Sequence, residues 1–181
     1  MPIPDPILRG SRHDCSIEML FTRQLDNVTM DGERVLLNLI VPPWQRPEVW
    51  SQEQKVRFVE GAFLGFDCGS YVVNGKDWNH DGSSKPMSGW LLDGQQRIAA
   101  FRDFSLDEFP VFGDVYFSGL TKPQERRFLR TNFSCYQLPY TDDEKKLREI
   151  YDRLNFGGTP HTDLDRAVFK VPQNTRPRSR E

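Results

Sequence analysis

The chain has 181 residues, 37% of them hydrophobic and 28% charged, with a formal net charge of -2. That suits one domain with a real core, with or without a small appendage, and it supplies no global positive field for holding nucleic acid. Cys15, Cys68 and Cys135 are odd in number and far apart, which argues against a disulfide framework or a cysteine-rich zinc site. They read as reduced thiols of a cytoplasmic protein. No apolar run approaches the ~18 residues that a membrane span needs, and the start, Met1 to Pro6, lacks a charged-then-apolar signal pattern.

In chain order, the proline-rich first dozen residues predict a loose lead-in, and Ser16 to Leu25 a short helix. Arg34 to Val41 is dense in Val, Leu and Ile and reads as one buried strand. It stops at Pro42-Pro43, which cannot donate ladder hydrogen bonds. Ser51-x-x-Gln54 has capping-box form and opens a helix to about Leu64. Ser70 to Val73 reads as a strand, and the polar stretch Asn74 to Gly89 as a hairpin or flexible loop. Trp90 to Asp93 is a further apolar strand that runs directly into a helix over Gln95 to Phe104. Val111 to Phe117 alternates and predicts a strand. Thr121 caps a helix with Pro123 in its first turn, and Phe133 to Leu138 is a strand. Thr141-x-x-Glu144 is a second capping box, opening a helix that runs to about Asn155 and ends at Gly157-Gly158. Asp163 to Lys170 predicts a last short helix, followed by a basic, disordered tail. Strands and helices mixed at this spacing indicate an α+β sheet rather than a long βαβ series.

Three polar clusters stand out. In Trp44-Gln45-Arg46-Pro47, flanking prolines restrict the backbone and give Arg46 a defined direction. A guanidinium fork there suits phosphate, or else stacks on Trp44 or pairs with Glu48. In Leu92-Asp93-Gly94-Gln95-Gln96-Arg97, Gly94 permits a tight strand-to-helix turn. The amides of Gln95, Gln96 and Arg97 then lie at a helix N-terminus, where free N–H groups and the positive dipole end attract anions. A cation is mildly unfavourable at a helix start, so Arg97 points to a bound anion, while Asp93 either caps the helix or holds a divalent metal beside phosphate. A capped helix with a solvated arginine is the plainer alternative. In Tyr151 to Pro160, a helix C-cap explains the glycines, and Asn155 and Thr159 are in position to meet a base or sugar. His80 with Asp81 is a metal or general-base candidate in what is otherwise an exposed loop. Arg126, Arg127 and Arg130 give one helix a basic face, solvated or tracking a nucleic-acid backbone.

Taken together, Val41-Pro42-Pro43-Trp44-Gln45-Arg46-Pro47-Glu48-Val49-Trp50, Leu92-Asp93-Gly94-Gln95-Gln96-Arg97 and Ile150-Tyr151-Asp152-Arg153-Leu154-Asn155-Phe156-Gly157-Gly158-Thr159-Pro160 resemble, in this order, the DUF262 family, the N-terminal half of GmrSD-type modification-dependent restriction systems. The resemblance runs from about residue 34 to 168. It implies a compact α+β, ParB/sulfiredoxin-like mixed sheet with surrounding helices, which binds and often hydrolyses a nucleoside triphosphate with Mg²⁺ or another divalent cation. By the same resemblance Gln45 and Arg46 face the nucleotide, Gly94, Gln95, Gln96 and Arg97 cradle phosphate, and Asn155 completes the pocket. Residues 1–30 are then a lead-in, 31–170 the nucleotide-binding domain and 171–181 a basic tail.

The departures from the wider group narrow the chemistry. Gln95 and Gln96 leave no cysteine in the loop for sulfiredoxin chemistry, and they stand where ParB-type proteins carry glutamate, so a metal would lean on Asp93 and the phosphates. The chain stops soon after the third cluster, and the reading expects no HNH-like cutting half. The leading expectation is an NTPase or a phosphotransferase acting on a hydroxyl acceptor, modified DNA included. In it Arg46 and Arg97 stabilise phosphoryl charge and Asp93 is the metal ligand or general base. A ParB-like nuclease or nucleic-acid-binding module, and a non-catalytic nucleotide sensor regulating a partner protein, are the alternatives. DNA and a nuclease or other partner protein are the candidate partners beside the nucleotide.

Overall fold

The computed structural model describes residue 3, residues 5–22 and residues 30–156, with backbone only at position 156. The elements are β1 (Ser11–His13), α1 (Glu18–Phe21), β2 (Arg34–Leu36), β3 (Leu39–Val41), α2 (Gln52–Leu64), β4 (Ser70–Val73), β5 (Leu91–Asp93), α3 (Gln95–Ser105), α4 (Lys122–Leu129), β6 (Ser134–Gln137) and α5 (Glu144–Phe156). A single 3₁₀ turn covers Phe117–Gly119. The main sheet has the order β1-β6-β4-β5. β6 runs parallel to β4 and antiparallel to β1, and β4 runs antiparallel to β5. The protein is thus a mixed α+β domain with a four-stranded sheet and surrounding helices.

Strand periodicity explains why helices lie on both faces of this sheet. Side chains alternate across a strand, so Tyr71 and Val73 of β4 and Leu91 of β5 join one buried cluster, with α3 and residues of α2 and α4. Val72 and Leu92 point the other way and meet Leu147 and Ile150 of α5. Helix α3 is the central member: eight of its eleven residues are buried. Ala99 and Ala100 let it approach its neighbours closely. The larger side chains Ile98, Phe101 and Phe104 fill the space around it. The Phe104 ring meets those of Phe63, Phe109, Phe117 and Phe128 at centroid distances of 5.3–5.9 Å.

Helix α3 is also tied to the segment after β3. The Gln96 side chain accepts hydrogen bonds from the backbone amides of Val49 (2.9 Å) and Trp50 (3.0 Å) and donates to the Pro47 carbonyl (3.3 Å). Glu48 makes a two-pronged pair with Arg102 at 3.0 and 2.9 Å. Arg102 also donates to Asp103, which pairs with Lys55 of α2. Segment 47–50, α2 and α3 therefore share one network of charges and amide bonds.

Several expectations from sequence are met. The Ser51–Gln54 capping box has both of its reciprocal bonds, and Gly65 closes α2 in the left-handed conformation. Pro123 sits in the first turn of α4. Others need correction. Arg34 to Val41 is not one strand but a tight hairpin, β2 and β3, turning at Leu37, whose φ is 54°. Its run of apolar residues hid the turn. Val111 to Phe117 is not a strand: Val111 and Val115 bond only to each other, across a turn with positive φ at Phe112 and Gly113. Its alternation comes from a turn that tucks Val111 into the core. The helix near residue 16 spans only Glu18–Phe21 among the described residues. Asp143, not Thr141, starts α5, its carboxylate accepting from the Lys146 amide at 3.1 Å. Residues 11–13 of the lead-in form β1. Asn74 to Gly89 is a loop stapled by Asn74 to Met87 and Thr141 and by an Asp77–Lys85 pair at 2.6 Å. The cap at Gly157-Gly158, the helix at 163–170 and the tail lie outside the described residues.

Two outcomes follow. Phe104→Ala lowers stability by about 3–5 kcal/mol, because four packed rings lose their common partner, and urea unfolding reads the change. Gln96→Ala leaves two amides without their acceptor and costs about 1–3 kcal/mol. Amide hydrogen exchange at Val49 and Trp50 accelerates in that variant while exchange in β6 does not.

Candidate nucleotide cleft

The β5–α3 junction shows how a single residue type sets up a site. Gly94 has φ 100° and ψ 0°. A Cβ there would lie 2.6 Å from Cβ of Tyr71. Both the left-handed backbone and the contact with β4 therefore demand glycine. With glycine at the N-cap, α3 has no side-chain cap. Helix geometry leaves the amides of the first turn without intrahelical acceptors, and they project outward with the positive dipole end.

These amides face a cleft of ≈ 370 Å³ lined by Gln45, Arg46, Trp50, Asp93, Gly94, Gln95, Gln96, Arg97, Tyr151 and Asn155. The structure thus collects all eight residues singled out from sequence around one space. Three separate segments deliver them. The first is the turn after β3, where the Gln45 amide donates to the Pro42 carbonyl at 3.1 Å. Arg34 fixes that turn by donating to the carbonyls of Gln45 (3.0 Å) and Arg46 (3.3 Å). The β5–α3 junction is the second and the last turns of α5 are the third. Trp44 pins the first segment to the third: its ring packs edge-on against Tyr151 at 5.1 Å and under the Arg148 guanidinium at 5.0 Å.

The side chains differ in how free they are. Arg97 pairs with Asp93 at 2.7 Å and lies 5.9 Å from the centre of the Phe133 ring. Gln96 lines the cleft, but its side-chain amide is committed to Pro47, Val49 and Trp50. Asn155 donates to the Tyr151 carbonyl at 2.9 Å, which leaves its oxygen for the cleft. Burial pushes the Tyr151 hydroxyl above its ordinary pKa, against the pull of the Arg46 guanidinium and backbone amide beside it. The Cys68 thiol, pushed up to about 11 mainly by burial and further by Asp67, lies near enough to Arg97 to feel its charge. It stays protonated at neutral pH and is no nucleophile there.

Four residues of the site are given no role by the sequence, although Trp50 and Tyr151 stand within the motifs that carry the family resemblance. Trp50 and Tyr151 line the cleft as aromatic walls. Gly69 and Phe133 shape the seat of Arg97: a Cβ at Gly69, whose φ is +74°, would fall 2.5 Å from the guanidinium. The purpose of Gly69, just before β4, depends on a side chain 28 positions away. His80 is exposed, and among the described residues no group of three or more His, Cys, Asp or Glu could hold a metal ion. Arg126, Arg127 and Arg130 are exposed too, with Arg127 over the Phe63 ring at 5.7 Å. Among the described residues no helix is long and apolar enough to cross a membrane.

No curated protein and no solved structure matches the chain. The family model for the N-terminal domain of the GmrSD restriction endonuclease matches residues 23–123, which include the turn after β3, the β5–α3 junction and all of α2 and α3. The third segment of the cleft, on α5, lies beyond the match. With more than half of its length matched, the chain belongs to the family of GmrSD restriction endonuclease N-terminal domains.

Proposed function

We propose that the cleft binds a nucleoside triphosphate with a divalent cation, and that the protein works on its phosphates, by hydrolysis or by transfer to a hydroxyl acceptor such as one on modified DNA. The observation that carries this reading is the uncapped N-terminus of α3, opening on the cleft behind a glycine that nothing larger can replace. Its amides and dipole suit a dianionic phosphate. Arg97 and Arg46 supply the cationic groups that stabilise charge on a phosphoryl group. We place the fold in the ParB/sulfiredoxin-like group on the same strand–glycine–helix element.

The fit to a divalent cation is of a particular kind. Among the described residues Asp93 is the one carboxylate that lines the cleft. Mg²⁺ characteristically binds one or two carboxylates together with substrate phosphates and water, so Asp93 would hold the ion as it arrives with the triphosphate. Bound there, the cation neutralises charge on the phosphate oxygens. Asp93 is held by Arg97 at 2.7 Å, and the ion and the phosphates would then exchange partners with this pair.

That same pair supports a second reading, a nucleotide sensor without turnover. While Asp93 stays paired with Arg97, no other carboxylate among the described residues lines the cleft to act as a general base. Regulation of a partner protein, a nuclease among them, would be its output.

Binding and turnover of each triphosphate with Mg²⁺, with and without DNA, decide between these. Arg97→Ala is expected to weaken triphosphate binding by about 1.5–3 kcal/mol, roughly 10- to 150-fold, the worth of a charged hydrogen bond. Equal binding and turnover by wild type and Arg97→Ala would sink the reading. Asp93→Asn loses the dependence of affinity on Mg²⁺, seen by titrating nucleotide with and without the ion. Unchanged Mg²⁺ dependence removes Asp93 as the ligand.

A further inference from the structure

Among the described residues, four buried side-chain polar atoms have no hydrogen-bond partner: Asn38 Oδ1, Trp44 Nε1, Gln45 Oε1 and Gln95 Nε2. The last two belong to residues that line the cleft, and both residues are more than nine-tenths buried, at 6% and 5% exposure. A buried polar atom without a partner costs free energy of the order of a lost hydrogen bond. Two in one cleft ask what ligand would satisfy them.

Their chemistry differs. Gln45 Nε2 donates to the carbonyls of Leu92 (3.3 Å) and Leu91 (3.4 Å). A flipped amide would set Oε1 against those two carbonyl oxygens, so the orientation is fixed, and the atom Gln45 leaves over is an acceptor. Gln95 leaves over a donor, at the first position of α3, beside the amides of the anion site. The phosphates of a Mg²⁺-bound triphosphate are ionised at neutral pH and offer acceptors only. It satisfies Gln95 and cannot satisfy Gln45. A ligand complementary to the whole cleft therefore carries an anionic acceptor group at one end and a neutral N–H or O–H donor at the other.

Resting on the nucleotide reading above, we infer that Gln45 is the base-recognising residue of the cleft, accepting a hydrogen bond from an N–H on the Watson–Crick edge of the nucleobase. Two further features favour a base over a sugar hydroxyl. Trp50 and Tyr151 line the same cleft and offer ring faces for a planar base, and Tyr151 packs against Trp44, the neighbour of Gln45. Gln95 at the other end donates to a phosphate oxygen. The pair would set the direction in which the nucleotide lies.

The test compares ligands on the wild-type protein first. Affinities with Mg²⁺ are measured for ATP and GTP against purine riboside triphosphate, and for CTP and UTP against the 4-deaminated pyrimidinone riboside triphosphate. Neither analogue has a base N–H. Inorganic tripolyphosphate and the 2′-deoxynucleotides complete the set. The preferred nucleotide is expected to bind about 10- to 100-fold more tightly than its analogue, the usual cost of leaving a buried polar group unpaired, and its 2′-deoxy form as tightly as itself. In Gln45→Met the difference between nucleotide and analogue disappears while tripolyphosphate affinity is kept. Equal wild-type binding of nucleotide and analogue overturns the inference, as does a loss confined to the 2′-deoxy forms, or an equal loss of tripolyphosphate and nucleotide in Gln45→Met. If tripolyphosphate and every nucleotide fail to bind wild type, the nucleotide reading itself fails, and this inference with it. Tripolyphosphate binding without base discrimination overturns this inference alone.

Discussion

The contact between Gly94 and Tyr71 is the constraint on which the rest depends. Because Gly94 adopts φ 100° and presents no side chain, β5 can pass straight into α3 with the junction pressed against β4. That closeness buries α3 between sheet and α2, and it turns the first-turn amides outward beside Asp93 and Arg97. A bulkier residue would have to move either the strand or the helix, and both carry side chains of the cleft. The same glycine removes the usual capping side chain, so the helix end that a Ser or Asp would satisfy stays open to a ligand.

The rest of the architecture holds other segments against that junction. Gln96 spends its side chain on the backbone of residues 47–50, and Glu48 and Arg102 lock the same stretch from the side. Trp44, between Tyr151 and Arg148, ties the turn after β3 to α5. Arg97 is held by Asp93, by the face of Phe133 and by the space that Gly69 leaves. In this arrangement the polar residues fall into two kinds. Gln96 and Glu48 are consumed by structure, whereas Gln45 and Gln95, which line the cleft, each leave one buried side-chain atom without a partner. The division explains why two adjacent glutamines with the same side chain do different work: one sits under the loop, the other under the cleft.

Arg97 and Asp93 add an electrostatic condition. Paired at 2.7 Å, each partly cancels the other's charge. The field at the mouth of α3 then draws largely on the backbone dipoles of the helix end. On the proposed function, a metal-bound phosphate would offer both members of the pair a new partner at once, the cation for the carboxylate and the oxyanion for the guanidinium, so that exchange would leave neither charge uncompensated.

The sequence by itself determined the α+β class, most helices and eight of the ten residues that line the cleft. Those features depend on local chemistry: the Ser51–Gln54 capping box, Pro123 in a first turn, and a glycine between an apolar strand and a helix-forming run are readable within a few positions. It misled where two structures share one pattern. An apolar run serves a buried strand and a hairpin alike, as at Arg34 to Val41, and alternation serves a strand and a tight turn alike, as at Val111 to Phe117. Only the tertiary structure decided which atoms remain without partners. The roles of Gln45, Gln95 and Gln96 differ because of what packs around each amide, and Gly69 matters because Arg97 folds over it. Such long-range neighbours leave no local trace in the chain, since a side chain's hydrogen-bonding balance depends on groups that only folding brings near it.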